Sequence, residues 1–279
     1  MDLGDYRRAS HEIWEEMAPG WERWRAQLAD ALTPVRAWLI GALGPQSGET
    51  VLELGAGTGE TGFEVAAILG EEGRLISSDF SPEMVEVARR RSSELGLGNV
   101  DHRVIDVERI ELDSASVDGV LCQSTYMLAA DPAAALAETR RVLRPGGRLA
   151  FSVWGAPERN PWGSIGGMLL IERGHMPLPE PEAPGVFSMA SEERTRALLD
   201  GAGFTSVRIE EVPLLFGFRD LGEYEQWVVD VAGSFAIVMR ELPEEEREVL
   251  RARLREAFVP FATDGGYELP GAALCAVAS

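Results

Sequence analysis

Apolar residues recur at Ile13, Trp14, Met17, Trp21 and Trp24, spacings of three and four that place them on one face of a helix. The first 45 residues therefore read as helical, with a break expected at Pro19–Gly20. From Thr50 the period changes. TVLELG is a short, nearly continuous apolar run, as expected for a strand buried on both faces of a parallel sheet. GFEVAAILG follows as a helix closed by Gly70, and GRLISSD as a second strand. Ser81 is a good N-cap with Pro82 at the first helical position, and that helix runs through EMVEVARRRSSEL to Gly96. VDHRVID and VDGVLCQST read as strands three and four. Asp131-Pro132 opens the helix AAALAETRRVL, and RPGG turns the chain into a fifth strand, GRLAFSVW.

Strands alternating with helices over short connections predict an α/β fold, with a doubly wound, mostly parallel seven-stranded sheet and right-handed crossovers. Ligands in such sheets bind outside the carboxyl ends of the strands. Asp79 and Asp106 stand at two of those ends. The rhythm breaks over residues 156–190, a short helical piece followed by a proline-rich loop. It resumes over 191–216 as a helix and a strand, and then gives way to two helices over 220–258, parted at Pro243. Long connections in compact domains are often lids or binding loops. The chain is therefore expected to be one domain, 1–279. It comprises an N-terminal helical lid (1–45), a binding core (46–155), an insertion (156–190), more core (191–216), a helical insertion (217–268) and a last strand (269–279).

The stretch VLELGAGTGETG, Val51 to Gly62, holds two glycine patterns. Gly57-x-Gly59-x-x-Gly62 is the fingerprint of a dinucleotide-binding turn, in which the first glycine ends the first strand and the helix N-terminus faces a pyrophosphate. Here the strand should end near Leu54–Gly55, so that triplet begins about two residues late. Asp79 lies about 20 residues on, where an acid meets a ribose, but it suits any adenosine equally. The set Glu53, Gly55, Gly57 and Gly59 places residues without a β-carbon where a backbone must pass close to a ligand. Gly62 then falls inside the following helix, where it would allow close helix–sheet packing.

Composition narrows the partners. The net charge is −20, and such an excess of acid argues against the basic face that nucleic acid requires. It favours neutral or cationic small substrates, or serves only solubility. Lysine is absent, so all 26 basic residues are arginine and lysine-based catalysis is excluded, including the Tyr-x-x-x-Lys set of hydride transfer. Cys122 and Cys275 have no ligand-like spacing; they read as buried small hydrophobes, and no metal is expected. No apolar run approaches the ~18 residues of a membrane span; WVVDVAGSFAIVM is interrupted by Asp230. The N-terminus lacks a signal-peptide core, so the expectation is a cytoplasmic protein off the membrane, a monomer or a homodimer.

Four motifs in order, VLELGAGTG, LISSDFSPEMVEVAR, VIDVERI with VDGVLCQSTYML, and ALAETRRVLRPGGRLAFSVWG, span residues 51–155. Together they resemble the class I S-adenosylmethionine-dependent methyltransferases, and more narrowly the small-molecule branch (type 11) that includes ubiquinone and menaquinone C-methyltransferases. PGVFSMASEERTRALLDGAGFTSVRI is similar to that branch too, whereas 1–45 and 217–268 are its variable parts. The resemblance implies a Rossmann-like sheet and S-adenosylmethionine as cofactor. It implies that Gly55, Ala56, Gly57, Thr58 and Gly59 form the cradle, with Glu53 linked to the loop or to the methionine ammonium. Asp79 would accept both ribose hydroxyls, Phe80 and Met84 would flank the adenine, and Asp106 would take its amino group beside the Val107 backbone. Gln123 would face the methionine part or the substrate. Each position has a plain alternative as a turn, a cap or core packing. The segment QSTY after strand four lacks the prolines typical of enzymes that methylate amino groups of nucleobases or glutamine.

Methyl transfer needs placement above all, so a base is optional. Tyr126, expected at the carboxyl edge after strand four, and His11 are the candidate catalytic residues; Trp21, Trp24, Tyr126 and His175 are candidate substrate contacts. Core packing for the aromatic residues and surface positions for the histidines are the alternatives, and His102, inside a probable edge strand, reads as structural. The expected activity is methyl transfer by direct displacement to a small, partly apolar acceptor, in a pocket roofed by 1–45, 156–190 and 217–268. An NAD-dependent oxidoreductase and a non-catalytic cofactor-binding subunit remain as alternatives.

Overall fold

The computed structural model describes residues 3–180 and 183–279, so positions 181 and 182 of the 156–190 insertion and the first two residues lie outside the described part. Two helices, α1 (Leu3–Ala31) and α2 (Thr33–Leu43), lead into the sheet. β1 (Thr50–Leu54), α3 (Glu60–Leu69), β2 (Arg74–Asp79), α4 (Pro82–Glu94), β3 (Val100–Val104), β4 (Val117–Gln123), α5 (Pro132–Val142) and β5 (Leu143–Trp154) then alternate as expected. The local signals act as read: Gly70 closes α3, the Ser81 hydroxyl accepts from Met84 N, and the Asp131 carboxylate accepts from Ala134 N. α6 (Pro161–Glu172), α7 (Glu192–Gly201) and β6 (Val207–Phe218) follow.

The strands lie in the order β3-β2-β1-β4-β5-β8-β6, with β1 to β5 parallel and β8 (Gly266–Ala278) antiparallel between β5 and β6. The chain leaves β1 in one direction through β2 and β3, and in the other through β4 and β5. The reversal between β1 and β4 is where ligands bind in such sheets. β5 stops pairing at Trp154↔Ala273, but β6 and β8 continue together to Phe218↔Tyr267. Their free extension projects past the carboxyl edge. α2 covers the sheet with Val35, Leu39 and Leu43, all fully buried.

Four expectations change. The seven expected strands are present, but the last, β8, starts at Gly266 and not at 269, and a two-residue strand β7 (Ala262–Thr263) pairs with it. Residues 220–258 form three helices, α8 (Leu221–Val231), α9 (Ser234–Glu241) and α10 (Glu244–Ala257), since Gly233 adds a positive-φ turn to the break at Pro243. β5 begins at Leu143, ahead of the RPGG turn. Finally, α1 runs unbroken through Pro19. Gly20 is a close-approach position: a β-carbon there would lie 2.0 Å from the Asp230 carbonyl oxygen of α8. Arg23 Nη1 and Trp24 Nε1 reach the Asp230 carboxylate at 2.6 and 2.7 Å, and Trp21 Nε1 donates to Val231 O at 3.2 Å. This contact with α8 offsets the hydrogen bond that Pro19 removes from the helix.

Candidate cofactor site

The loop after β1 turns through three positive-φ glycines, Gly55 (+64°), Gly57 (+54°) and Gly59 (+92°), a conformation that residues with side chains rarely adopt. The three glycines differ in what stands beside them. A β-carbon at Gly55 would lie 2.0 Å from Thr125 Oγ1, so the loop abuts the turn after β4. One at Gly59 would meet the Phe63 ring at 2.2 Å. At Gly57 nothing stands within 4 Å, and the backbone faces open space. Ala56 N donates to Ser78 O at 2.8 Å and Gly59 N to Ala56 O at 2.9 Å, so the loop is fastened to β2 and closed on itself. Thr58 is buried, and its hydroxyl donates to Glu60.

Two buried carboxyl groups shape this loop from beneath. Glu53, 3% exposed, accepts from Gly62 N at 2.7 Å and from Ser77 Oγ at 3.1 Å. Burial pushes its carboxyl up to about 8, against the lowering effect of those two bonds. Asp79, 7% exposed, accepts from Gly57 N and Ser81 N, both at 3.0 Å. Burial raises it as well, and amide donors oppose the rise. Each oxygen of a carboxylate has two lone pairs, so Asp79 retains acceptor capacity for a pair of hydroxyls.

The other expected cofactor residues gather at the same edge. Phe80 follows Asp79, half-buried; Met84 is buried one turn into α4. Asp106 sits just past β3, where its carboxylate accepts from Glu108 N at 2.9 Å and shapes the turn that carries the buried Val107. Gln123 ends β4 and accepts from Thr61 Oγ1 at 2.9 Å, bridging β4 to α3 across the point of strand reversal.

The structure disperses the candidates for chemistry. Tyr126 is fully buried, with its hydroxyl 2.6 Å from Thr139 Oγ1 on α5, and burial raises it well above the ordinary phenol range. It is a core residue and not an edge residue: its ring packs edge-on to Phe151 and its hydroxyl meets α5. His175 pairs with Glu246 of α10 at 3.0 Å, alongside Arg173, and those partners hold Glu246 down at about 2. His11 packs edge-on to Phe80, with ring centroids 5.4 Å apart, which puts it beside the end of β2 and not at β4. Trp21 and Trp24 join α1 to α8 as described, although Trp24 also borders a surface groove of about 430 Å³ with Phe218 and Tyr267. His102 lies in the edge strand β3, its Nε2 2.8 Å from Ser92 Oγ.

Several contributors had no motif to announce them. Thr61 and Ser77 are ordinary hydroxyls that the fold brings to Gln123 and Glu53, and Asp79 also takes the backbone amide of Ser81. Tyr6, Arg7 and Glu15 of α1 reach the loops after β4, β3 and β2. Nothing local in the sequence shows that reach.

Residues 45–161 match the family model described as a methyltransferase domain. That segment is a methyltransferase domain. It contains β1 to β5 and all the loops just described. The chain is 26% identical over 186 residues to a methyltransferase of Acremonium sp., a match covering 63% of this chain and 61% of the relative. It is 32% identical over 160 residues to an arsenite methyltransferase of Halobacterium salinarum, covering 54% of this chain and 37% of the relative. The chain thus spans less than two thirds of either relative's length. Its fold is that of a crystallised SAM-dependent methyltransferase from Aquifex aeolicus, with TM-score 0.51 and 23% identity over 76% of this chain and 93% of that one.

The methyltransferase domain's cradle fits S-adenosylmethionine. Gly57 leaves open the space a β-carbon would fill, and the Asp79 carboxylate, which keeps acceptor capacity, takes the Gly57 amide beside it. Among the described residues no group of three or more His, Cys, Asp or Glu is arranged to hold a metal ion, and no helix is long and apolar enough to cross a membrane.

Proposed function

We propose that the chain transfers a methyl group from S-adenosylmethionine to a small, partly apolar acceptor by direct displacement. The observation that carries this reading is the position of Glu53. Its carboxyl takes the Gly62 amide in the first turn of α3, the place where a dinucleotide fold offers its amides to a pyrophosphate. Glu60 adds a second acid to that turn. With that amide taken by the protein's own carboxyl, the turn has one donor fewer for a diphosphate, and the Glu60 carboxylate repels one. This argues against the NAD-dependent alternative, as does the absence of lysine.

S-adenosylmethionine supplies a methyl already activated on a sulfonium centre. The residues supply placement. Asp79 would hold the ribose hydroxyls, Phe80 and Met84 the adenine faces, Asp106 and the Val107 backbone the adenine edge, and Gln123 the methionine side. Placement of a nucleophile at ~3–3.5 Å in line with the methyl supplies much of the acceleration by itself. With Tyr126 in the core, His175 on Glu246 and His11 beside Phe80, none of the three candidate bases stands at the end of β4. The site therefore favours acceptors that arrive as competent nucleophiles, such as thiols or free amines, over those that must first lose a proton to the protein. Residues 1–45, 156–190 and 217–268 frame the acceptor side within a single domain.

Transfer of labelled methyl to a panel of thiols, amines, phenols and quinols tests the reading, with thiols and amines expected to lead. Tight cofactor binding with no transfer to any class would support the non-catalytic cofactor-binding subunit instead.

A further inference from the structure

The first four turns of α1 touch the loops that follow β2, β3 and β4. Tyr6 Oη donates to Leu128 O, past β4, at 3.0 Å. Arg7 binds Glu108, past β3, two residues from Asp106. His11 lies against Phe80, past β2, next to Asp79. The Glu15 carboxylate accepts from Ser81 Oγ at 2.6 Å and Glu83 N at 3.3 Å at the start of α4. The four contacts lie on one helix and bracket both acids assigned to the ribose and the adenine. Further along, Gly20, Trp21, Arg23 and Trp24 fix the same helix to α8.

We propose that residues 3–15 of α1 form a strap over the nucleoside half of the cofactor pocket, latched by Arg7 on Glu108, and that its opening sets the rate of cofactor release. This inference rests on the methyltransferase reading above. Glu108 is suited to the role. Its side chain is 6% exposed; one oxygen accepts from Ala130 N at 2.8 Å and the other takes Arg7, so a single carboxylate joins the loops after β3 and β4 to the strap. Arg7 approaches from solvent, 42% exposed. The latch can therefore break without unfolding the carboxylate's own loop, and salt weakens it. Tyr6, His11 and Glu15 add contacts that are individually weak but all lost together when the helix swings. The junction with α8 holds the rest of α1 in place and makes the stretch between Glu15 and Gly20, with Pro19 in it, the place to bend. Product release governs turnover in many enzymes with such covers.

The test is stopped-flow release of S-adenosylhomocysteine from wild type, Arg7→Gln, Glu108→Gln and a control on an exposed pair of α4, Arg89→Gln. Hydrogen exchange at residues 6–15 of the free proteins is measured in parallel. Release from both latch variants should be about tenfold faster than from wild type, the loss of one charge-assisted bond. Wild-type release should speed up between about 50 and 500 mM salt while Arg7→Gln stays flat, and residues 6–15 should exchange faster in both latch variants only. Release from the latch variants within about twofold of wild type, with the salt response intact, would overturn the latch. If wild type binds no S-adenosylhomocysteine, the methyltransferase reading fails on its own. Exchange then decides the latch, and unchanged protection of residues 6–15 in Arg7→Gln refutes it.

Discussion

Glu53 and Gly62 occupy one another's space: the carboxyl oxygen Oε1 is 2.7 Å from the Gly62 amide, and a β-carbon at 62 would lie 2.0 Å from Oε2. The third glycine of an apparent dinucleotide fingerprint is thus consumed by a buried side chain of the protein itself. The amide that a pyrophosphate would need is already taken.

Gly62→Ala should displace that carboxyl. Overpacking at a buried site of this kind costs about 1–3 kcal/mol, read by urea unfolding. Cofactor affinity should fall with it, because Glu53 and Asp79 support the same loop from adjacent strands. An alanine variant as stable as wild type would show that the contact is not close-packed in solution.

Glu53 should also make stability depend on pH. Burial holds its carboxyl at about 8 in the fold, against the 4.5 of an ordinary glutamate in the unfolded chain. The folded protein therefore keeps a proton that the unfolded chain releases. Stability from this group is fully present below the unfolded value and is lost as pH rises through about 8. The loss is on the order of a few kcal/mol. Glu53→Gln, neutral at every pH, should flatten the decline between about pH 5 and pH 9 in unfolding free energy. Parallel profiles for the two proteins would contradict the assignment.

Tyr126→Phe separates packing from chemistry. The hydroxyl bonds Thr139 in the core, and Thr139 keeps its bond to Ala135 O when the phenol is removed. We expect a loss of about 1 kcal/mol in stability and turnover within about twofold of wild type. A fall of 10²-fold or more, the scale of general acid–base catalysis, would return Tyr126 to the reaction.

Gly20→Ala should drive α1 away from α8, since the added carbon meets the Asp230 backbone and not a movable side chain. A cost of about 2 kcal/mol or more is expected in chemical denaturation, with Trp21 and Trp24 reporting the separation by fluorescence. A neutral substitution would mean that α1 is not seated on α8 as described.

These residues also show where the sequence was readable. The strand–helix alternation, the caps at Ser81 and Asp131 and the cradle glycines are local signals, set by apolar period and by backbone chemistry within a few residues. Gly20 and Tyr126 were misread because their roles are settled at a distance. Gly20 looks like a breaker beside Pro19, yet its missing side chain serves a helix more than 200 residues later in the chain. Tyr126 follows a strand end and belongs at the edge by position; its hydroxyl instead meets Thr139 of α5 in the core. The reach of Tyr6, Arg7 and Glu15 to the site is a property of where α1 lies, and no periodicity encodes it.

The cradle is proposed to hold S-adenosylmethionine through Asp79. Calorimetric titration of S-adenosylhomocysteine and of NAD into wild type and Asp79→Ala tests it most directly. Wild type should bind the former, worth about 2.7 kcal/mol of added stability at 100 times its Kd. Asp79→Ala should bind it at least about tenfold more weakly, the scale of a lost charge-assisted hydrogen bond, and neither protein should bind NAD. Binding of NAD without S-adenosylhomocysteine, or full affinity in Asp79→Ala, would contradict it.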